Sequence, residues 1–165
     1  MKIKELPQKD WIITFEAIDC CGKTSLIRKF NESTDYSYLL RDRSTISVRA
    51  YANKFNRGNI KINKSEHHIS SYKWHLLVYL TATKEDVQKR QAVKNDGWNS
   101  EDYDIDKKLF EEALKNSEYS KVLRLNSSYM SYDEEIQTII NEMLRYENID
   151  NLRKKYRDYF IEEVE

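Results

Sequence analysis

The feature that most constrains this chain is the stretch WIITFEAIDCCGKTSLIRKF, residues 11–30. Trp11, Ile12, Ile13, Thr14 and Phe15 form an apolar run rich in β-branched and aromatic side chains. That run is long enough for a strand buried on both faces and too short for a helix. After a small polar interruption, Gly22, Lys23 and Thr24 lead into Leu26, Ile27 and Phe30, whose spacing puts three apolar side chains on one helical face. The expected local order is strand, tight loop, helix.

That order is the context of a phosphate-binding loop of the pattern Gly, four residues, Gly, Lys, Ser or Thr. A polyphosphate is held by backbone N–H groups at a helix N-terminus, where unpaired donors and the positive end of the dipole favour an anion. Here the loop would comprise Ala17, Ile18, Asp19, Cys20, Cys21, Gly22, Lys23, Thr24 and Ser25. Gly22 would admit the phosphate oxygens, Lys23 would reach the β- and γ-phosphates, and Thr24 would hold magnesium. Ala17 stands where the first glycine of the pattern belongs. At a positive φ this alanine would cost on the order of 1 kcal/mol, and at a negative φ nothing. The plainer alternative, that Gly-Lys-Thr only begins a helix, loses ground to the strand before it and the amphipathic helix after it.

A chain of 165 residues fits a single domain spanning 1–165. Lys plus Arg and Asp plus Glu both number 28, so no global field draws the protein to nucleic acid or to a membrane, and any anion site has to be local. No apolar run reaches membrane-spanning length and the first ten residues lack a signal-peptide core, which makes the cytoplasm the expected location. Cys20 and Cys21 are adjacent, a poor geometry for an ordinary disulfide. At a helix start the dipole can acidify a thiol, so oxidative inactivation is one expectation, and simple loop filling is the other.

Further along, Asn31 to Asp35 read as a turn-rich connector, and Tyr36 to Leu40 as a second strand closed by Arg41, Asp42 and Arg43. Chemistry in an open α/β sheet collects at the carboxyl ends of strands, which puts those charges beside the loop. Asp42 could serve magnesium or a proton and Arg43 a phosphate, or the three could be a solvated cluster. Ser44 caps a helix in which Ile46, Ala50 and Phe55 face the core, Arg49, Tyr51 and Arg57 lie on the polar side, and Gly58 marks the end. Residues 59–73, with His67 and His68, read as a surface loop. Trp74 to Leu80 give a third, buried strand. Thr83 and Asp86 cap a helix with Val87 inward, after which residues 89–104, with the cations Lys89, Arg90 and Lys94, are a candidate lid or an exposed connection. Ile105, Leu109, Phe110, Ala113 and Leu114 mark a helix, and Lys121 to Leu125 a fourth strand. Ser131 and Glu134 open a helix with a stripe of Ile136, Ile139, Ile140, Met143 and Leu144. A separate amphipathic helix, roughly 148–163, with Leu152, Tyr156, Tyr159 and Phe160, either folds back over the sheet or contacts another subunit in a homodimer. Strands interleaved with helices give an α/β fold with three layers, a reduced parallel sheet of about four strands and helices on both faces.

Three separated stretches resemble the thymidylate kinase branch of the P-loop nucleotide kinases. Phe15, Glu16, Ile18, Asp19, Gly22, Lys23 and Thr24 are similar to the family's opening Phe-Glu-Gly-x-Asp-Gly-x-Gly-Lys-Ser/Thr, with Ala17 and Cys20 departing. Asp42, Arg43, Ser44, Ser47, Ala50 and Tyr51 resemble its Asp-Arg-Tyr-x-x-Ser-x-x-Ala-Tyr, and Tyr79, Leu80, Thr81, Glu85 and Arg90 its strand and arginine lid, with Thr81 replacing an acid. The resemblance implies ATP and Mg2+ at Gly22, Lys23 and Thr24, an acceptor near Asp19, Ser47 and Tyr51, a metal or proton role for Asp42, an acceptor-phosphate grip by Arg43 and a lid cation in Arg90. It also implies an Arg-Glu-Pro-type strand between the first helix and the Asp-Arg pair. The eleven residues between Phe30 and Asp42 leave no room for it, so the sheet should be one strand narrower.

The implied activity is ATP-dependent phosphoryl transfer to a deoxynucleoside monophosphate. Asp42-Arg43-Ser44-x-x-Ser47-x-Arg49 also resembles the Glu-Arg-Ser-x-x-Ser-x-Arg run of deoxynucleoside kinases, which keeps a nucleoside acceptor as the alternative. A nucleotide-binding or interaction module without turnover is a third, from Ala17, Thr81 and the shortened sheet.

Overall fold

Two uninterrupted apolar runs become the two central strands of a four-stranded parallel sheet. The computed structural model describes residue 3 and residues 5–58, 64–94 and 102–162, the last with side chains through 157. Its elements are β1 (Ile12–Ala17), α1 (Lys23–Ser33), β2 (Leu39–Asp42), α2 (Thr45–Lys54), α3 (Lys64–Ser70), β3 (His75–Thr81), α4 (Lys84–Lys94), α5 (Tyr103–Lys115), β4 (Val122–Asn126) and α6 (Tyr132–Glu162). The strand order is β2-β1-β3-β4, with every pairing parallel. The expected narrow α/β sheet is what forms, and its two faces are covered by helices.

Alternation along β1 sends its side chains to those two faces. Phe15 meets Phe30 of α1 edge to face at 6.1 Å, while Glu16 on the other face meets α2. On that second face Tyr79 of β3 stacks on Phe110 of α5 at 6.3 Å. Ile136, Ile139, Ile140 and Met143 of α6 are fully buried, as their periodicity requires. Ser131 and Glu134 form a reciprocal cap at the start of α6, the Ser131 N–H donating to Glu134 at 2.7 Å and the Glu134 N–H to Ser131 at 3.3 Å. Ser44 caps α2, its hydroxyl accepting from the Ile46 N–H at 3.1 Å.

Several boundaries differ from the sequence expectation. Asn31, Glu32 and Ser33 continue α1 rather than forming a connector. Asp35 and Tyr36 both have positive φ, a turn conformation no strand accommodates, so β2 starts at Leu39 and contains Arg41 and Asp42 rather than ending before them. Phe55 lies just past α2, half exposed, and does not face the core. Residues 64–70 form α3 instead of a loop. This helix docks through polar contacts, Glu66 to Arg41 and to Tyr119 and His67 to Glu118, which is why no apolar period announces it. Residues 89–94 belong to helix α4, the remainder of the expected lid at 95–101 lies outside the described residues, and 103–104 begin α5. Ile105 on α5 is exposed.

The two C-terminal helices expected from sequence are one continuous helix of 31 residues. Leu152 and Tyr156 on it are 54% and 62% exposed, so this part of the helix does not fold back over the sheet. The side chains of Tyr159 and Phe160 lie outside the described ones. Among the described residues no helix is long and apolar enough to cross a membrane.

Candidate active site

β1 delivers the chain into the loop, and the loop delivers it into α1. Ala17 is the last residue of β1, buried and without positive φ, so the missing first glycine imposes no strain there. The left-handed positions fall instead on Cys20 (φ 63) and Gly22 (φ 89). Gly22 is the N-cap of α1, and its carbonyl accepts from Leu26 at 3.0 Å. No side chain caps this helix and no acidic residue stands in its first turn. The positive pole of α1 is therefore left for an anion.

A cavity of about 850 Å³ opens over the loop, lined by Ile18 through Ser25, Asp42, Arg43, Lys89, Arg90, Val93, Lys94 and Tyr132. Five cationic side chains face two carboxylates here, in a protein whose charges balance over the whole chain. A local concentration of positive charge is thus present, the one form in which a chain of zero net charge can offer an anion a site. Lys23, at the start of α1, pairs with Asp42 from the end of β2. Burial, then the Arg43 charge, pulls the Lys23 pKa below its usual value, against the opposing pull of Glu16 and Asp19.

Arg43 is set by the same strand end. It has φ 75, its N–H donates to the Phe15 carbonyl at 2.9 Å, its guanidinium lies 3.7 Å from Asp19, and its Cζ sits 5.7 Å over the Tyr51 ring. From α4, Arg90 donates to the Cys20 carbonyl at 3.0 Å and to the Ser127 hydroxyl at 3.1 Å. So Lys23 and Thr24 from α1, Asp42 from β2, Arg90 from α4, Asp19 from the loop after β1 and Arg43 from the turn after β2 converge onto one cavity. Tyr51 stands behind Arg43, outside the lining, and burial raises its hydroxyl pKa. Ala17 and Ser47 do not line the cavity either. Ser47 is buried, its hydroxyl donating to Glu16 at 3.0 Å, which makes it a prop for the turn rather than a wall of the site.

Neither cysteine is in a disulfide, and burial pushes the Cys21 pKa up to about 12 despite the nearby Arg90 charge. For Cys21, the acidified thiol expected from the helix dipole is therefore overturned, because desolvation outweighs the dipole.

Glu16, which the sequence places in the loop's motif without a role, holds this corner of the site together. It is fully buried, and one oxygen accepts from the hydroxyls of Ser44 (2.7 Å) and Ser47 (3.0 Å) and from the Ser47 N–H (3.2 Å). Its second oxygen has no hydrogen-bond partner among the described residues, and burial raises its pKa above the usual carboxylate value. Glu16 ties β1 to the start of α2 and so fixes the backbone that follows Arg43. The available signal was a lone acid at an inward position near the end of an apolar strand.

Among the described residues no three acidic, histidine or cysteine side chains converge as a protein-only metal cage. Thr24 and Asp42 offer hard oxygen donors at the cavity, a set that fits magnesium taking its remaining ligands from phosphate and water. In comparisons with known proteins, no family model and no curated protein matches the chain. Among solved structures, the chain is similar to the YorR protein of Bacillus subtilis, crystallised in complex with phosphorylated GDP. The two share 21% identity at a TM-score of 0.65, covering 83% of this chain and 97% of that one. That likeness establishes a shared fold.

Proposed function

We propose that the chain transfers the γ-phosphoryl group of ATP to a (deoxy)nucleoside monophosphate, as in thymidylate kinase-like enzymes. One observation carries this reading: a glycine-capped helix start with Lys23 and Thr24 shares a cavity with Asp42, Arg43 and Arg90. The α1 terminus and Lys23 hold the donor phosphates, Arg43 takes the acceptor phosphate, and Arg90 neutralises charge from the far side. Thr24 and Asp42 would hold magnesium, which when bound shields the β- and γ-phosphate oxygens. An oxygen of the acceptor phosphate attacks the γ-phosphorus, the bond to the β–γ bridging oxygen breaks, and ADP leaves with that oxygen.

The exposed guanidinium of Arg43 favours a monophosphate over a nucleoside. Arg49, which ends the run resembling deoxynucleoside kinases, donates to the Asn116 carbonyl at 3.0 Å instead. The base of the acceptor follows from a panel in which labelled ATP is offered with nucleosides and with monophosphates of each base, guanine included because the similar solved protein holds phosphorylated GDP. The expected result is label on one or more monophosphates and at least a hundredfold loss of turnover in Lys23→Ala. ATP binding without turnover on any acceptor would leave a binding module, and ATP affinity unchanged in Lys23→Ala would end the phosphate-site reading.

A further inference from the structure

Tyr132 lines the cavity and has no part in the reading above. It is the first residue of α6, held by the Ser131–Glu134 cap, and the Nζ of Lys29 on α1 sits 5.0 Å from the centre of its ring. The ring is therefore fixed between two helices on the same face of the sheet. Its hydroxyl points at the loop: a methyl group at Gly22 would lie 3.5 Å from that oxygen and 4.0 Å from Nη1 of Arg90. The helix-capping glycine, a guanidinium and a phenol thus meet at one point of the cavity wall. Arg90 already donates to Cys20 and Ser127. The Tyr132 hydroxyl makes no hydrogen bond among the described residues.

A fixed O–H donor without a protein acceptor, at the edge of a cationic phosphate cradle, is suited to a phosphate oxygen. We infer that Tyr132 is a binding residue for the donor nucleotide, donating its hydroxyl hydrogen to a phosphate oxygen of the bound triphosphate. This rests on the proposed phosphate site and adds to it a contact from α6. The family pattern in the loop does not supply it, because the group comes from the far end of the chain. A neutral donor there adds directional recognition without adding to the charge already supplied by lysine and arginine.

The test is titration calorimetry of a non-hydrolysable ATP analogue with magnesium, and of adenosine, against the wild type, Tyr132→Phe and Lys23→Ala. Phenylalanine keeps the ring and its contact with Lys29, and thermal melts of each protein show that the fold is retained. Loss of one such hydrogen bond to a charged oxygen predicts roughly ten- to a hundredfold weaker binding of the analogue by Tyr132→Phe, with adenosine binding unchanged. Analogue affinity equal to wild type in Tyr132→Phe, while Lys23→Ala is weakened, would overturn this contact and leave the phosphate site standing. An equal loss for adenosine would move the contact to the nucleoside and overturn its assignment to phosphate. No loss in Lys23→Ala would remove the phosphate site and the tyrosine contact with it.

Discussion

At the scale of single residues, desolvation decides the state of the buried acids around this site. Glu135, in the first turn of α6, is 1% exposed, and neither carboxylate oxygen has a hydrogen-bond partner among the described residues. Burial raises its pKa from 4.5 to about 7, with the Arg90 charge pulling the other way. Between those two values the folded chain binds this proton and the unfolded chain has released it, so stability falls as pH rises from about 4.5 to about 7 and is level above. Glu135→Gln, a neutral mimic of the protonated acid, removes that term. Urea denaturation should find the two proteins close at pH 4.5 and the variant gaining on wild type up to neutrality, by on the order of 3 kcal/mol at most. A gap independent of pH would show that Glu135 ionises freely. Nothing in the sequence distinguished this acid from its helical neighbours Asp133 and Glu134, because its position relative to Arg90 exists only after α4 and α6 pack. Ala17 teaches the converse: its identity looked like a defect, yet it lies within β1 and the left-handed positions fall on Cys20 and Gly22.

At the scale of elements, what was legible followed apolar periodicity and capping chemistry. β1 and β3 are short continuous apolar runs buried on both faces, and the burial of the first four turns of α6 repeats with the helical period, so their type and place could be read directly. α3 was not legible because its docking is made by Glu66 and His67 through polar contacts. The division of α6 failed for a related reason: the apolar stripe ends while the backbone continues, and no glycine or proline interrupts it. Helix beyond a packed stripe is held by propensity and local pairs, such as that of the exposed Lys154 with Asp150, which add little. The side chains of 151–157 are all exposed. A chain ending at residue 150 should therefore unfold within about 1 kcal/mol of the full chain and keep its triphosphate affinity. A large fall in the melting temperature, or a halving of mass in light scattering, would instead place the tail in a subunit interface.

At the scale of the whole molecule, the strand order β2-β1-β3-β4 makes the site. From β1 the chain crosses through α1 to β2 on one side, while β3 and β4 lie on the other, so the loop after β1 sits where the winding reverses. Open α/β sheets bind ligands in the crevice at such a point. The short gap between Phe30 and Asp42 made the four-stranded width legible, and with it the nearness of β2's end to the loop. The cavity is consequently shared by groups from α1, β2, α4 and α6, so filling it should tighten the molecule as one unit. A triphosphate with magnesium at about 100 times its Kd adds about 2.7 kcal/mol to the folded state. For a chain of this size that is a rise of roughly 5–10 °C in Tm, absent at the same concentration in Lys23→Ala. A monophosphate held by Arg43 should add a second increment on top of the first, since donor and acceptor phosphates use different cations. Differential scanning calorimetry with each nucleotide alone and both together measures this, and two shifts that compete rather than add would mean that both occupy the α1 terminus.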